Sequence, residues 1–297
     1  MATSIGKLGV WAFLDELSGP EAAAFARRVE DWGYGTLWLP EAMGRDSFTF
    51  ICYLAAHTEK LVFATGIANI YARDAMSMNA LRNTLAELFP NRFVLGMGVS
   101  HAPLVADIRG HDYGKPVSTM RSYLEAMNSA PFLSAPPQEP APIVLAALRQ
   151  NMLKLSAEQT QGAHPYFVPP EHTARAREVL GPQAWLCPEQ MVLLETDAAT
   201  ARGIARKHMA TYLNLPNYRN NLKELGFVDN DFEDGGSNKL VDAIVAWGDE
   251  GSIRKRLQAH WDAGANHVCI QPFTNDGARR PDERLLQLLA PLSTRAR

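Results

Sequence analysis

The stretch Leu61–Arg73, LVFATGIANIYAR, decides how this chain is read. It opens on large apolar residues, Leu61, Val62 and Phe63, shrinks to Ala64-Thr65-Gly66, and then reaches Asn69 and Tyr71. A parallel strand buried on both faces reads as a near-continuous hydrophobic run, so 61–67 is expected to be a buried strand. The small residues at its C-terminal end leave room for something flat to lie against the backbone, and in parallel α/β folds that end is where ligands bind. The plain alternative, a Gly66 that only ends a strand before a loop, stays open on these residues alone.

Working outward, strands and helices alternate. Lys7–Leu14 is an apolar run, and Ser18-Gly19-Pro20-Glu21 starts a helix with Pro early and an acid in its first turn. Thr36–Pro40 is a second strand, leading to Glu41, and Asp46 opens the next helix. After the strand at 61–67 come a helix over Met76–Phe89 and a fourth strand, Arg92–Gly98. Ile143–Leu148, Gly162–Val168, Gln190–Glu195 and His267–Gln271 complete the strand count, with helices over Met152–Gln159, Glu171–Leu180, Ala198–Tyr212, Ser252–Ala263 and Asp282–Leu289. Eight strands with intervening helices in 297 residues is the pattern of one α/β domain over 1–297, a closed (β/α)8 TIM barrel. An open doubly wound sheet is the alternative, but no GxGxxG follows the first strand. Ser100–Pro116 and Asn214–Trp247 exceed a plain barrel and read as insertions after the fourth and seventh strands, the kind of long segment that forms lids and binding elements.

The formal net charge of −3 offers no basic field for nucleic acid and no polybasic segment for a membrane surface. Cys52, Cys187 and Cys269 are far apart, so neither a disulfide framework nor a metal site is expected. The first residues, MATSIGKLGVWAF, lack the regions of a signal peptide, and no run reaches the roughly 18 apolar residues of a membrane span. The expectation is a cytoplasmic protein.

Barrel active sites are built at the C-terminal ends of strands. Those ends supply Trp11 and Phe13, Glu41, Gly66-Ile67-Ala68-Asn69, Ser100-His101, Ala146-Ala147-Leu148-Arg149, His164-Pro165-Tyr166, Glu195 and Gln271. Small and aromatic groups suit a flat conjugated ligand. Glu41 and His101 are the acid/base candidates. Each has a plainer reading: Glu41 as a cap for the helix near Asp46, His101 as a loop histidine bonded to backbone, and His164 as structural.

The segments TLWLPE (36–41), LVFATGIANIYAR (61–73), NRFVLGMGVSH (91–101), GAHPYFVPPEHTARAREVLGP (162–182) and DAGANHVCIQ (262–271) resemble the bacterial luciferase-like superfamily, in particular its coenzyme F420-dependent oxidoreductase branch. The resemblance implies a cofactor site. A non-prolyl cis peptide is expected at Gly66–Ile67, with Ile67 against the middle of the tricycle and Ala68 beside it. Asn69 falls at the pyrimidine edge, and Glu41 near the polyol and ring. Ala146, Ala147, Leu148, Arg149, Pro165 and Tyr166 fall along the ribityl-phosphate tail, and His101 where relatives place a substrate-facing acid or base. Two departures stand out. Glu41 is followed by Ala42 and Met43 rather than the histidine of luciferase-type members, which argues against peroxyflavin chemistry. The loop after the fifth strand reads Leu148-Arg149-Gln150-Asn151 where relatives are glycine-rich. The implied activity is hydride transfer between F420 and a small organic substrate. The alternatives are an FMN-dependent monooxygenase and a barrel that only binds a flavin or other ligand. A homodimer is also implied, with helices Phe48–His57 and Met76–Phe89 at its interface, unless those faces simply cover the barrel.

Overall fold

The computed structural model describes residues 3–278 and 280–291. Its strands, in chain order, are β1 (Leu8–Trp11), β2 (Thr36–Leu39), β3 (Val62–Thr65), β4 (Ala68–Asn69), β5 (Phe93–Gly98) and β6 (Ile143–Leu145). They continue with β7 (Gly162–Ala163), β8 (Trp185–Leu186), β9 (Glu189–Leu194), β10 (Val245–Gly248) and β11 (Val268–Pro272). The fold is mixed α/β, and every strand pair is parallel, in the order β10-β9-β11-β1-β2-β3-β5-β6-β7-β8 with β4 beside β5.

The sheet curls. Only Cys187 and Pro188 separate β8 from β9, and this stretch is bonded on both sides. The Cys187 and Glu189 N–H groups donate to Ala163 and Pro165, each at 2.9 Å, while Cys269 N–H donates to Pro188 at 3.0 Å. β7 is thereby tied to one side of the stretch and β11 to the other.

Both faces of the sheet are buried, and period-two alternation sorts the side chains between them. Leu37 and Leu39, Phe63, Phe93 and Leu95, and Ile143 and Leu145 join the larger core with the helices. Trp38, Val62 and Ala64, Val94 and Val144 form a second cluster with Trp11, Cys187 and Cys269. In that second cluster the indole of Trp38 stacks on His164 with centroids 4.5 Å apart. Its Nε1 donates to His267 Nε2 at 3.0 Å, so His267 carries its proton on Nδ1 and donates it to Gly6 at 2.8 Å. Burial lowers the pKa of both imidazoles to about 4, and they pack as neutral rings.

Helix starts follow the sequence signals closely. Ser18 and Glu21 form a capping box, and Asp46, Asp74, Asp197, Asp249 and Asp282 each cap a helix through their side chains. Several strand ends differ from expectation. The third strand breaks at Gly66-Ile67 and resumes as β4. The sixth is only Gly162–Ala163, and further on Phe167, at φ 62°, leaves the extended region. The segment 100–116 holds a π-helix, Pro103–Ile108. The segment 214–247 holds helices Pro216–Glu224 and Asn238–Ile244, and ends in β10, which joins the sheet beside β9. Its last residues are therefore sheet rather than inserted loop. No helix among the described residues is long and apolar enough to cross a membrane.

One side chain anchors the site-bearing strand. Glu30, 8% exposed, accepts from the N–H groups of Glu59, Lys60 and Leu61 at 3.1, 2.6 and 2.6 Å. Burial pushes its pKa up, but these donors and nearby Arg92 outweigh it and hold the carboxyl below its ordinary value. Such a carboxylate contributes stability above its unfolded pKa of 4.5 and loses that contribution as pH falls through the depressed folded value. Glu30→Ala is expected to cost about 3 kcal/mol in urea unfolding at pH 7, with the gap to wild type closing toward pH 3.

Candidate functional site

The end of the third strand is where most of the expected residues meet. The peptide bond Gly66–Ile67 is cis. Trp11 Nε1 donates to Gly66 O at 2.9 Å, and Thr65 Oγ1 bonds both the N–H (3.0 Å) and the carbonyl (2.8 Å) of Gly96. The Ile67 side chain lies over the β5 end: a Cβ on Gly98 would fall 2.8 Å from Ile67 Cδ1 and 3.0 Å from Ala146 Cβ. Only glycine at 98 allows this approach. Asn69 is fully buried, and its Oδ1 accepts from Tyr71 N–H at 3.0 Å. Its Nδ2 has no hydrogen-bond partner. A buried amide donor left unpaired is costly.

Glu41 is placed beside this segment and is already engaged. Its carboxylate forms a two-pronged pair with the Arg73 guanidinium and accepts from Asn69 N–H at 2.8 Å. Arg73 also reaches Asp46 and covers the ring of Phe48 at 4.6 Å. With both oxygens bonded, Glu41 orders the backbone before Asn69 and is not a free acid or base.

On the other side stand the ends of β6 and β7. Ala147 is buried, Ala146 and Leu148 are half-buried, and Arg149 is exposed, with Glu224 3.9 Å away. The Leu148 carbonyl accepts from His172 Nε2 at 2.6 Å. Past Pro165, Tyr166 Oη lies 2.7 Å from both Gln271 Oε1 and Tyr212 Oη. An amide oxygen only accepts, so Tyr166 donates to Gln271 and receives from Tyr212. Trp11 stands 5.2 Å from Tyr166 and 4.9 Å from Phe13, centroid to centroid. Tyr166, Tyr212 and Tyr218 complete an aromatic wall with Phe167.

The two segments expected as insertions converge on His101, whose ring packs 5.4 Å from Tyr218 and is bonded by the Asn217 side chain. Burial lowers the His101 pKa, the Asn217 bond opposing it, so the imidazole is neutral at pH 7. Tyr71, just past β4, donates to the Tyr113 carbonyl, and Tyr113 to that of Ser100 at 2.9 Å, which ties the 100–116 segment to the end of β4.

Two features were not anticipated from the sequence. Glu189, 1% exposed at the start of β9, accepts from Phe167 N–H at 3.2 Å, while its Oε1 has no partner. Burial raises its pKa to about 8, the Phe167 bond opposing weakly, so it is protonated at neutral pH. The other is a cleft of about 590 Å³ between the ends of β1 and β11 and the helix Ala198–Leu213, with His208 on its wall. The signal for it was a stripe, Ile204, Lys207, His208, Thr211, Tyr212, at i, i+3, i+4, i+7 and i+8. None of Gly66–Asn69 or Ala146–Arg149 lines this cleft. Among the described residues no group of three or more His, Cys, Asp or Glu is arranged to hold a metal ion.

The sequence profile of the luciferase-like monooxygenase family matches residues 9–267. A protein of Mycobacterium tuberculosis named "Putative coenzyme F420-dependent oxidoreductase" is 27% identical over 170 residues, covering 57% of this chain and 46% of its own length. The chain thus spans less than half of that relative. Among solved structures, an F420-dependent secondary alcohol dehydrogenase bound to an F420-acetone adduct superposes with a TM-score of 0.74 at 13% identity, over 98% of this chain and 97% of that one. A type II Baeyer–Villiger monooxygenase component of Pseudomonas putida, in complex with FMN, gives 0.71 at 14% identity, over 97% and 98%. At these identities the two structures show a shared fold.

The buried Glu189 has a thermodynamic signature. Between its unfolded pKa of 4.5 and the folded value of about 8, the folded protein binds a proton that the unfolded chain has released. Stability attributable to this residue therefore falls as pH rises through that window. Glu189→Gln is expected to be more stable than wild type at pH 8.5 by on the order of a few kcal/mol and nearly equal at pH 4.5, read from thermal unfolding at both values.

Proposed function

The chain belongs to the luciferase-like monooxygenase family, and from that premise we propose that it is an F420-dependent oxidoreductase acting on a small organic substrate. The observation that carries this reading is the unpaired, fully buried Nδ2 of Asn69, two residues after Ile67 at the end of the third strand. We also read the curled sheet as one (β/α)8 TIM-barrel domain over 1–297, with insertions near 100–116 and 214–247.

The residues fit a flavin-type ring at the third strand. Asn69 would bond its pyrimidine edge, and Gly66, Ile67 and Ala68 would support its face. Ala146, Ala147, Leu148, Arg149, Pro165 and Tyr166 would follow the ribityl-phosphate tail. Arg149 is the cation at that end, with Glu224 3.9 Å away. When bound, the deazaflavin supplies a two-electron hydride centre. The chain's own part is to orient: Arg73 and Glu41 stiffen the backbone before Asn69, and the aromatic wall of Trp11, Tyr166 and Tyr218 excludes water. His101, neutral and half-buried, exchanges the substrate proton in this reading.

An FMN-dependent monooxygenase is the second reading, favoured by the family match and by the FMN-bound neighbour. Ala42 and Met43 in place of a histidine after Glu41 weigh against its oxygen chemistry. We further propose a homodimer through the helices Ser47–Ala55 and Ala75–Leu88, where Tyr53, Met76 and Leu88 are exposed.

Titration of the purified protein with F420 and with FMN separates the readings. Tight F420 binding is expected, and FMN binding alone would move the assignment to the monooxygenase. Binding of neither would leave a barrel without this redox role. Asn69→Asp keeps the acceptor for Tyr71 N–H and removes the free amide. It is expected to weaken F420 binding tenfold or more, measured at a temperature well below the variant's own melting point.

A further inference from the structure

We propose that Asn221, on the helix Pro216–Glu224, is a cofactor-binding residue whose side-chain amide donates to the phosphate of the ribityl-phosphate tail beside Arg149. This rests on the proposed function and adds to it a contact from a segment outside the third strand and the 146–149 turn.

The helix lies across two neighbouring strand ends. Asn217, Asn221 and Glu224 stand at i, i+4 and i+7, one line along its surface. At one end of that line Asn217 bonds His101, just past β5. At the other, Glu224 stands 3.9 Å from Arg149, just past β6. β5 and β6 pair with each other in the sheet. The line is about 10 Å long at the helical rise of about 1.5 Å per residue. Asn221 therefore faces the space between the two strand ends, slightly nearer Arg149 than His101. Ile67 and Ala146 both approach Gly98 at that end of the sheet.

Asn221 is 2% exposed, and its Nδ2 has no hydrogen-bond partner. Beside it on the buried face are Tyr218 and Leu222, and Tyr218 packs into the aromatic wall. A leucine at 221 would complete this face without a polar group to satisfy. An amide there costs the free protein an unmade bond, and a ligand oxygen restores it.

The charges nearby select an anionic oxygen. Arg149 and Glu224 are each about half exposed and approach no closer than 3.9 Å, a loose pair that leaves the guanidinium able to turn to a better acceptor. Arg175 donates to the Glu224 carbonyl at 2.7 Å, which offsets the negative end of the helix dipole. The helix that follows Arg149, Gln150–Gln159, has no side-chain cap over its first N–H groups.

This arrangement answers the departure at 148–151. Where the family resemblance implies glycine, the chain has Leu148-Arg149-Gln150-Asn151, and close backbone approach to a phosphate is lost. Asn221 and Arg149 supply side-chain donors in its place. His172 fixes the turn through the Leu148 carbonyl at 2.6 Å.

Two ligands separate the phosphate from the ring: F420, and its deazaflavin–ribitol core without the phosphate. Calorimetry measures the Kd of each for wild type, Asn221→Leu and Asn221→Asp, well below the melting point of each protein. Wild type is expected to bind F420 more tightly than the core. Asn221→Leu removes the donor and is expected to weaken F420 about tenfold while leaving the core unchanged. Asn221→Asp keeps the shape, turns the donor into an acceptor, and is expected to weaken F420 further, again with the core unchanged. F420 affinity unaltered in both variants overturns this inference alone, as do equal losses for F420 and the core, which mark a role in the fold or the ring site. If wild type takes FMN and not F420, the cofactor assignment falls, and FMN against riboflavin makes the same comparison: a loss confined to FMN upholds Asn221. A wild type that binds neither cofactor overturns both.

Discussion

A strand buried on both faces leaves its backbone no water to bond, and the molecule is arranged around meeting that requirement at the third strand. Glu30 takes three N–H groups just before β3, Trp11 donates to the carbonyl of Gly66, and Glu41 takes the N–H of Asn69. Thr65 meanwhile bonds the neighbouring strand at Gly96. Polar groups at the strand's start, break and resumption are supplied by side chains from the first helix and the first two strands. Against that background the Asn69 Nδ2 stands unpaired at the end of the third strand, as Nδ2 of Asn221 does elsewhere among the described residues.

The interior follows a related rule for charge. His164, His267 and Glu189 are buried without a countercharge and all take their neutral forms, the imidazoles by losing a proton and the carboxyl by keeping one. Where a charge is retained near the strand ends it is matched, as Glu41 is by Arg73. The result is a weakly charged interior under the aromatic wall, an environment in which a hydrogen bond to a ligand is worth more than in water. Glu189 also bonds the turn beside this wall: it accepts from the N–H of Phe167, at φ 62°, next to the Tyr166 that meets Gln271 and Tyr212.

Particular residues show what was legible beforehand. The run at 61–67, the Ser18 and Asp46 caps, and the helices near 76–89 and 198–212 were readable because burial period, capping chemistry and helical spacing are local properties. The cis linkage at Gly66–Ile67 was expected from family resemblance rather than from spacing, and it stands where expected. Less was legible where distant segments decide. Glu41 reads as a free strand-end carboxylate until Arg73, 32 residues on, is seen to occupy it. The sixth strand reads as seven residues but ends at Ala163, and beyond it Phe167 N–H is bonded by Glu189, 22 residues on.

From the sequence alone came the alternation of strand and helix, the buried third strand and the pool of strand-end residues, because each depends on neighbours within one or two turns of chain. Only the tertiary structure decided which of those side chains are already spent on one another and which stay free. It bound Glu41 to Arg73, left the Asn69 amide open, and set His208 against Phe273 at the wall of a cleft. The physical reason is that a polar group's availability is fixed by what else lies within about 3 Å of it, and the chain brings those partners from far away in sequence.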